Sequence, residues 1–93
     1  MNNGKEEPII VEKLENAKSI SRFEHYKRLG LKIAYYRKYR NMTQLNLAEE
    51  VGISRTYMSN IEAPRTMVNP TMDVIFDIAD ALDISIGQLF DDA

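Results

Sequence analysis

Apolar residues recur at three- and four-residue intervals along most of this chain, which is the spacing of one helical face. Leu29, Ile33 and Tyr36 form one such stripe, and Leu47, Ala48 and Val51 a second. Met58 and Ile61 form a third, and Met72, Ile75, Ile78, Ala79 and Leu82 a fourth. Ile86, Leu89 and Phe90 close the series, and all three are expected to return to the core. No stretch sustains the strict alternation of a half-buried strand, and no segment repeats another. The pattern predicts an all-α fold, a compact bundle of about five helices joined by short loops.

Start and stop signals divide the stripes. Ser21-Arg22-Phe23-Glu24 matches a capping box, which predicts a first helix from there to about Arg40. Gly30 lies inside that helix at a cost of up to roughly 1 kcal/mol, which points to close packing or a local distortion. Thr43 is placed to cap the second helix, and Gly52 to supply the positive φ of a tight turn. Ser54 then caps the third. Pro64 disfavours helix at Ala63 and ends it, and Pro70 is placed to open a fourth, capped by Asn69 or Thr71. Asp83 ends the fourth helix, and Ser85 caps a short last one. Upstream, residues 1–8 are polar and expected to be disordered. Residues 9–20 read two ways: Ile10, Leu14 and Ala17 have helical spacing, while Ile9-Ile10-Val11 suits a short strand. The chain therefore divides into a partly disordered N-terminal arm, 1–21, and a helical domain, 22–93.

Residues 43–62 carry the most chemistry. They read as two short amphipathic helices about a turn at Gly52, with small Ala48 allowing close approach. Opposite the apolar side of the second of these helices lie Arg55, Thr56, Ser59 and Asn60. That face can hydrogen-bond widely yet holds a single charge, unlike the Glu and Lys of an ordinary solvated face. It suits the reading of base edges in a major groove. His25, the single histidine, has no metal or nucleophile partners in view and reads as a surface residue. Met42, Met58, Met67 and Met72 read as packing residues, and Tyr35, Tyr36 and Tyr39 as one face of the first helix.

Ninety-three residues suit one small domain. A net charge of −2 hides a segregated layout. Residues 22–40 hold seven basic side chains against Glu24, whereas residues 71–93 hold six aspartates and no base. A local basic stripe of that kind can meet phosphates even in an acidic chain. The bland alternative is a solvated helix opposite an acidic one. Cysteine is absent, which excludes disulfides and thiolate metal sites and fits a reducing compartment. No apolar run approaches the ~20 residues of a membrane span, and the N-terminus lacks signal-peptide character. A cytoplasmic protein without cofactor, metal, membrane association or small-molecule ligand is expected.

Taken in order, these residues resemble the lambda repressor-like, Cro/C1-type helix-turn-helix family. The resemblance runs from Leu29 to Phe90. It rests on Leu29-Gly30, Ile33 and Arg37, then Thr43-Gln44 with Leu47-Ala48, then Gly52-Ile53-Ser54 and Ile61-Glu62. Pro70-Thr71-Met72, Ile78-Ala79 with Leu82, and Leu89-Phe90 complete it. The resemblance implies base contacts from Arg55, Thr56, Asn60 and, more variably, Ser59. It implies phosphate contacts from Gln44, with Thr43, Ser54, Tyr57 and Arg65 as further candidates. Gln44 would also buttress the recognition helix, and Arg37 and Glu62 would form a salt bridge between the first and third helices. Two departures stand out. Ala63-Pro64 replaces the glycine that usually follows the third helix, in a loop about two residues longer than usual. Asp83 stands where the fourth helix commonly ends in glycine.

The function these features imply is a sequence-specific, double-stranded DNA-binding regulator of bacterial or phage type. With no sensor or protease domain in the sequence, a stand-alone repressor, a restriction-modification controller or an antitoxin is expected. It would read a palindrome as a homodimer. Phe76, Ile84, Ile86 and Phe90, with the arm, are the expected dimer surface. A protein-interaction adaptor on the same fold is the alternative. No activated nucleophile, metal cluster or phosphate-cradling loop supports an enzyme.

Overall fold

The computed structural model describes residues 6–65 and 68–90, with residues 6–21 described by their backbone. Among these residues there are five helices and no strand: α1 (Glu6–Tyr39), α2 (Gln44–Val51), α3 (Arg55–Glu62), α4 (Met72–Leu82) and α5 (Ile86–Phe90). Disorder was expected over residues 1–8; Glu6 to Pro8 instead form the first turn of α1, while residues 1–5, and the packing role expected for Met67, lie outside the described residues.

Helix α1 is longer than the sequence pattern indicated. It starts at Glu6 and runs through Ser21, so the capping-box pattern there does not open a helix, and residues 9–20 resolve as helix instead of strand. The physical reason is propensity. Val11 to Lys18 is rich in Glu, Lys, Leu and Ala, and Ser19 and Ser21 cost too little to stop a helix with good formers on both sides. Pro8 falls in the first turn, where its missing N–H has no intrahelical partner to lose.

Three helices end in the same way. Asn41 (φ 59°), Gly52 (φ 85°) and Asp83 (φ 57°) adopt the left-handed conformation after α1, α2 and α4. In each case the next residue donates its N–H five residues back: Met42 to Arg37, Ile53 to Ala48 and Ile84 to Ala79, at 3.0–3.1 Å. Those next residues are apolar and pack against the core, which completes a Schellman stop. Asp83 therefore fills the role that glycine would have taken. The helix starts are equally local. Thr43, Ser54 and Thr71 accept hydrogen bonds from the backbone N–H of Asn46, Tyr57 and Val74. Ser85 and Gln88 cap each other reciprocally at α5. Thr71, not Asn69, is thus the α4 cap. Pro70 stands one residue before it, buried, and does not open the helix.

The core gathers Leu29 and Ile33 from α1, Leu47 and Ala48 from α2, and Met58 and Ile61 from α3. Ile75, Ile78, Ala79, Leu82 and Leu89 complete it from α4 and α5. Two residues expected inward are not. Met72 is 50 % exposed, because it begins α4 and Ile75, one turn later, covers the core beneath it. Phe90 is 55 % exposed, because α5 is a five-residue helix whose inward position is taken by Leu89. The tyrosines also divide. Tyr35 and Tyr39 are exposed, while Tyr36 packs on the core and meets Tyr35 edge-on at 5.1 Å.

Gly30 explains how α1 and α3 come together. A Cβ at this position would lie 2.4 Å from the carbonyl oxygen of Ile61 and 2.5 Å from that of Glu62. Close packing, not a helix distortion, is the reason for this glycine. Arg40 ties α1 to α4: its guanidinium donates to the carbonyls of Leu82 at 2.8 Å and Asp83 at 3.1 Å, satisfying the end of that helix.

Candidate nucleic-acid interface

Helices α2 and α3 meet around Gly52-Ile53-Ser54. Ala48 is fully buried, so the two backbones approach closely, and Met58 and Ile61 hold α3 on the core. This anchoring fixes which side of α3 faces water. Arg55, Thr56 and Asn60 are exposed there, Ser59 is half-buried beside them, and Tyr57 is half-buried against the core. The single carboxylate of α3, Glu62, is 5 % exposed and ion-paired. The outward face therefore presents one positive charge, two hydroxyls and an amide, with no anion among them. Eight residues of helix span about 12 Å, a length that lies within a B-DNA major groove.

Glu62 is the hub behind that face. Its Oε2 accepts from Arg37 Nε at 2.6 Å, and its Oε1 accepts from Arg37 Nη2 at 3.0 Å and from Gln44 Nε2 at 2.9 Å. Arg37 is 8 % exposed and also donates from Nη1 to the Met42 carbonyl at 2.7 Å. One carboxylate thus binds α1 and α2 to the C-terminal end of α3. The two-pronged geometry is the strong form of an arginine–carboxylate pair.

Each candidate phosphate contact on this side keeps a donor. Thr43 and Ser54 use their hydroxyl oxygens as acceptors in the caps, which leaves each O–H to donate. Gln44 gives one amide hydrogen to Glu62 and retains a second. Arg65 is exposed, three residues beyond α3.

The basic stripe of residues 22–40 is not one phosphate-facing surface. Arg37 is buried in its pair and Arg40 caps α4. Lys27 pairs with Glu24 at 3.2 Å and lies over the Phe23 ring. Arg22 and Lys32 line a groove between α1 and the α4–α5 corner. Sequence reasoning missed the Arg40 role because it joins residues distant in the chain, whereas the Gln44–Glu62 bond is a contact from α2 to α3 of the kind the resemblance implied for Gln44. His25 is exposed on α1. Among the described residues no helix is long and apolar enough to cross a membrane, and no group of three or more His, Cys, Asp or Glu is placed to hold a metal.

Comparison with known proteins converges on this part of the chain. A helix-turn-helix family model matches residues 33–89. The immunity repressor of Bacillus phage phi105 is 36 % identical over 61 residues, which are 66 % of this chain and 41 % of that protein. The transcriptional repressor RstR of the cryptic phage CTXphi in Vibrio cholerae is 43 % identical over 58 residues, 62 % of this chain and 50 % of that protein. The chain spans about half the length of the curated relatives it matches. Among solved structures, that of the biofilm master regulator SinR in complex with DNA superposes with a TM-score of 0.61 at 32 % identity, over 68 % of this chain and 98 % of the other.

Proposed function

The chain belongs to the Cro/C1-type helix-turn-helix family, and from that premise we propose that it is a sequence-specific, double-stranded DNA-binding transcriptional regulator. The observation that carries the proposal is the outward face of α3. Arg55, Thr56 and Asn60 stand exposed, with no carboxylate among them, on a helix whose other side is locked into the core. In the proposed complex α3 enters the major groove, and Arg55 donates to guanine O6 and N7. Thr56, Ser59 and Asn60 contact adjacent base edges. Helix α2 crosses the backbone, and Thr43, Gln44, Ser54, Tyr57 and Arg65 supply phosphate contacts that set the register. Relatives named as phage repressors favour repression over activation, in the cytoplasm of a bacterial host. One domain of this size touches few base pairs, so two copies about a two-fold axis read a palindrome with half-sites about one helical turn apart.

Two substitutions test the assignment of roles. Arg55→Ala is expected to weaken operator binding by about 1–3 kcal/mol and to relax preference at one base position per half-site. Unchanged affinity for the operator would mean that the reading face lies elsewhere. Gln44→Ala is expected to weaken binding to all sequences to a similar degree, because a phosphate contact has little sequence content. Competition binding against a panel of single-base operator variants distinguishes the two, and a base-selective loss for Gln44→Ala would contradict its role.

A further inference from the structure

A groove of about 870 Å³ runs between α1 and the α4–α5 corner, and no residue of α2 or α3 lines it. Leu29, Ile75 and Leu89, all buried in the core, form its floor. Leu31, Met72 and Phe90 form its walls, and each keeps half of its surface or more exposed. Concave, mostly apolar sites of roughly 300–1,000 Å³ with a few polar groups at the edge are the usual form of a small-molecule site. The sequence pattern predicts no small-molecule ligand, because the bases of α1 meet Met72 and Leu89 only in the fold.

The charge of the groove is one-sided. The chain has 14 Asp and Glu against 12 Lys and Arg, so acids outnumber bases overall. Among the described residues, however, Arg22, His25, Arg28 and Lys32 line the groove and no carboxylate does. All four stand on α1, whereas the opposite wall of Met72 and Phe90 carries no charge. Arg22 and Lys32 have no hydrogen-bond or ion-pair partner among the described residues. A polyanion would meet this basic edge and leave the apolar floor wet. A neutral hydrocarbon would fill the floor and leave the edge unpaired. An aliphatic chain that ends in an anion satisfies both.

Length narrows the ligand further. Arg22 and Lys32 are ten residues apart on α1, which makes the edge about 15 Å long. An extended chain gains about 1.2 Å per bond, so about 12 bonds span that edge. We infer that the groove binds a free long-chain carboxylate of about 12 carbons, its head at the basic edge and its tail along Leu29, Ile75 and Leu89. The site is separate from the outward face of α3, and the inference does not rest on the DNA-binding assignment.

Calorimetric titration of the full chain with a series of carboxylates from octanoate to hexadecanoate tests it. Each is used below its micelle concentration, and circular dichroism checks the fold of every variant. One molecule is expected to bind per chain. Affinity is expected to rise about two- to fourfold per methylene as far as dodecanoate and then to level off, because further carbons project into water. Dodecanol, with the same tail and no charge, is expected to bind roughly tenfold more weakly. The paired substitution Arg22→Glu with Lys32→Glu is expected to weaken dodecanoate to a similar degree, as is Met72→Glu, which puts an anion on the apolar wall. Arg55→Ala, on the reading face, is expected to bind dodecanoate like the wild type. Affinity that keeps climbing at the same slope to hexadecanoate, or groove variants that bind like the wild type, would mean adsorption of soap at large and overturn the site. So would the absence of saturable binding by any member of the series. Two further results would reassign the groove. Binding to phosphatidylglycerol vesicles without binding of free dodecanoate would make it a membrane contact. Loss of self-association in the groove variants, again without dodecanoate binding, would make it a contact between copies.

Discussion

Replacing Glu62 by alanine is expected to destabilise the fold by roughly 3–5 kcal/mol, the usual consequence of stranding one member of a buried ion pair. The side chains of Arg37 and Glu62 are only 10 % and 3 % exposed. Without the carboxylate, Arg37 Nε and Nη2 lose their acceptors while the guanidinium stays charged and enclosed. Gln44 loses its partner in the same step. Small domains are held by about 5–15 kcal/mol, so the variant is expected to be largely melted at temperatures where the wild type is folded. The same reasoning makes a second expectation about the pair. Replacing both partners together, Arg37→Met with Glu62→Leu, should be far milder than Glu62→Ala, because no charge is then left uncompensated. Urea unfolding of the single and double variants measures the coupling. A change below about 1 kcal/mol for Glu62→Ala would contradict the burial and geometry given for the pair.

Gly30→Ala is expected to be comparably damaging for a different reason. The added Cβ would stand 2.4 Å and 2.5 Å from two backbone carbonyl oxygens at the end of α3. Ordinary C···O contacts lie near 3.3–3.6 Å, so α1 and α3 must part by about 1 Å. Backbone oxygens cannot rotate aside as a flexible side chain would. Overpacking typically costs about 1–3 kcal/mol and sometimes more, and here the displacement also stretches the Arg37–Glu62 pair, so about 3 kcal/mol or above is expected. The higher helix propensity of alanine offsets up to ~1 kcal/mol of that. Gly87→Ala is the matched control. Its Cβ would meet only Ser85 Oγ at 3.9 Å, and it is expected to be neutral or slightly stabilising. Equal denaturation midpoints for the two glycine variants would refute the close approach at Gly30.

These two sites differ in how far the sequence disclosed them. Gly30 was conspicuous as a helix-interior glycine, but its contact with α3 was not, since nothing local says which helix lies opposite. The Arg37–Glu62 pair came from family resemblance and not from spacing, because the two residues are distant in the chain. Caps were legible for the opposite reason. Thr43, Ser54 and Gly52 act within four or five residues, and Asp83 declared itself by its place at the end of an apolar stripe. The start of α1 was misread because a capping-box pattern has force only where helix propensity falls on its N-terminal side, and here it does not. Periodicity identified the face of α4 and α5 but not how far the neighbouring helices extend to cover it, so Met72 and Phe90 came out exposed. Charge counting over residues 22–40 overstated the free basic surface, because Arg37 is buried in its ion pair and Arg40, though exposed, is engaged by the carbonyls at the end of α4. The candidate reading face was legible for a physical reason. Four polar positions opposite two apolar ones on an eight-residue helix leave few ways to orient it.

The central claim is that the outward face of α3 reads base sequence in duplex DNA. Selection of bound DNA from a random pool by the wild-type protein, with Arg55→Ala in parallel, tests it most directly. The account predicts enrichment of a palindromic site with half-sites about one helical turn apart, and loss of preference at one symmetric pair of positions in the variant. A wild-type pool that stays unenriched after repeated rounds, or an Arg55→Ala pool with the same preferences as the wild type, would contradict it.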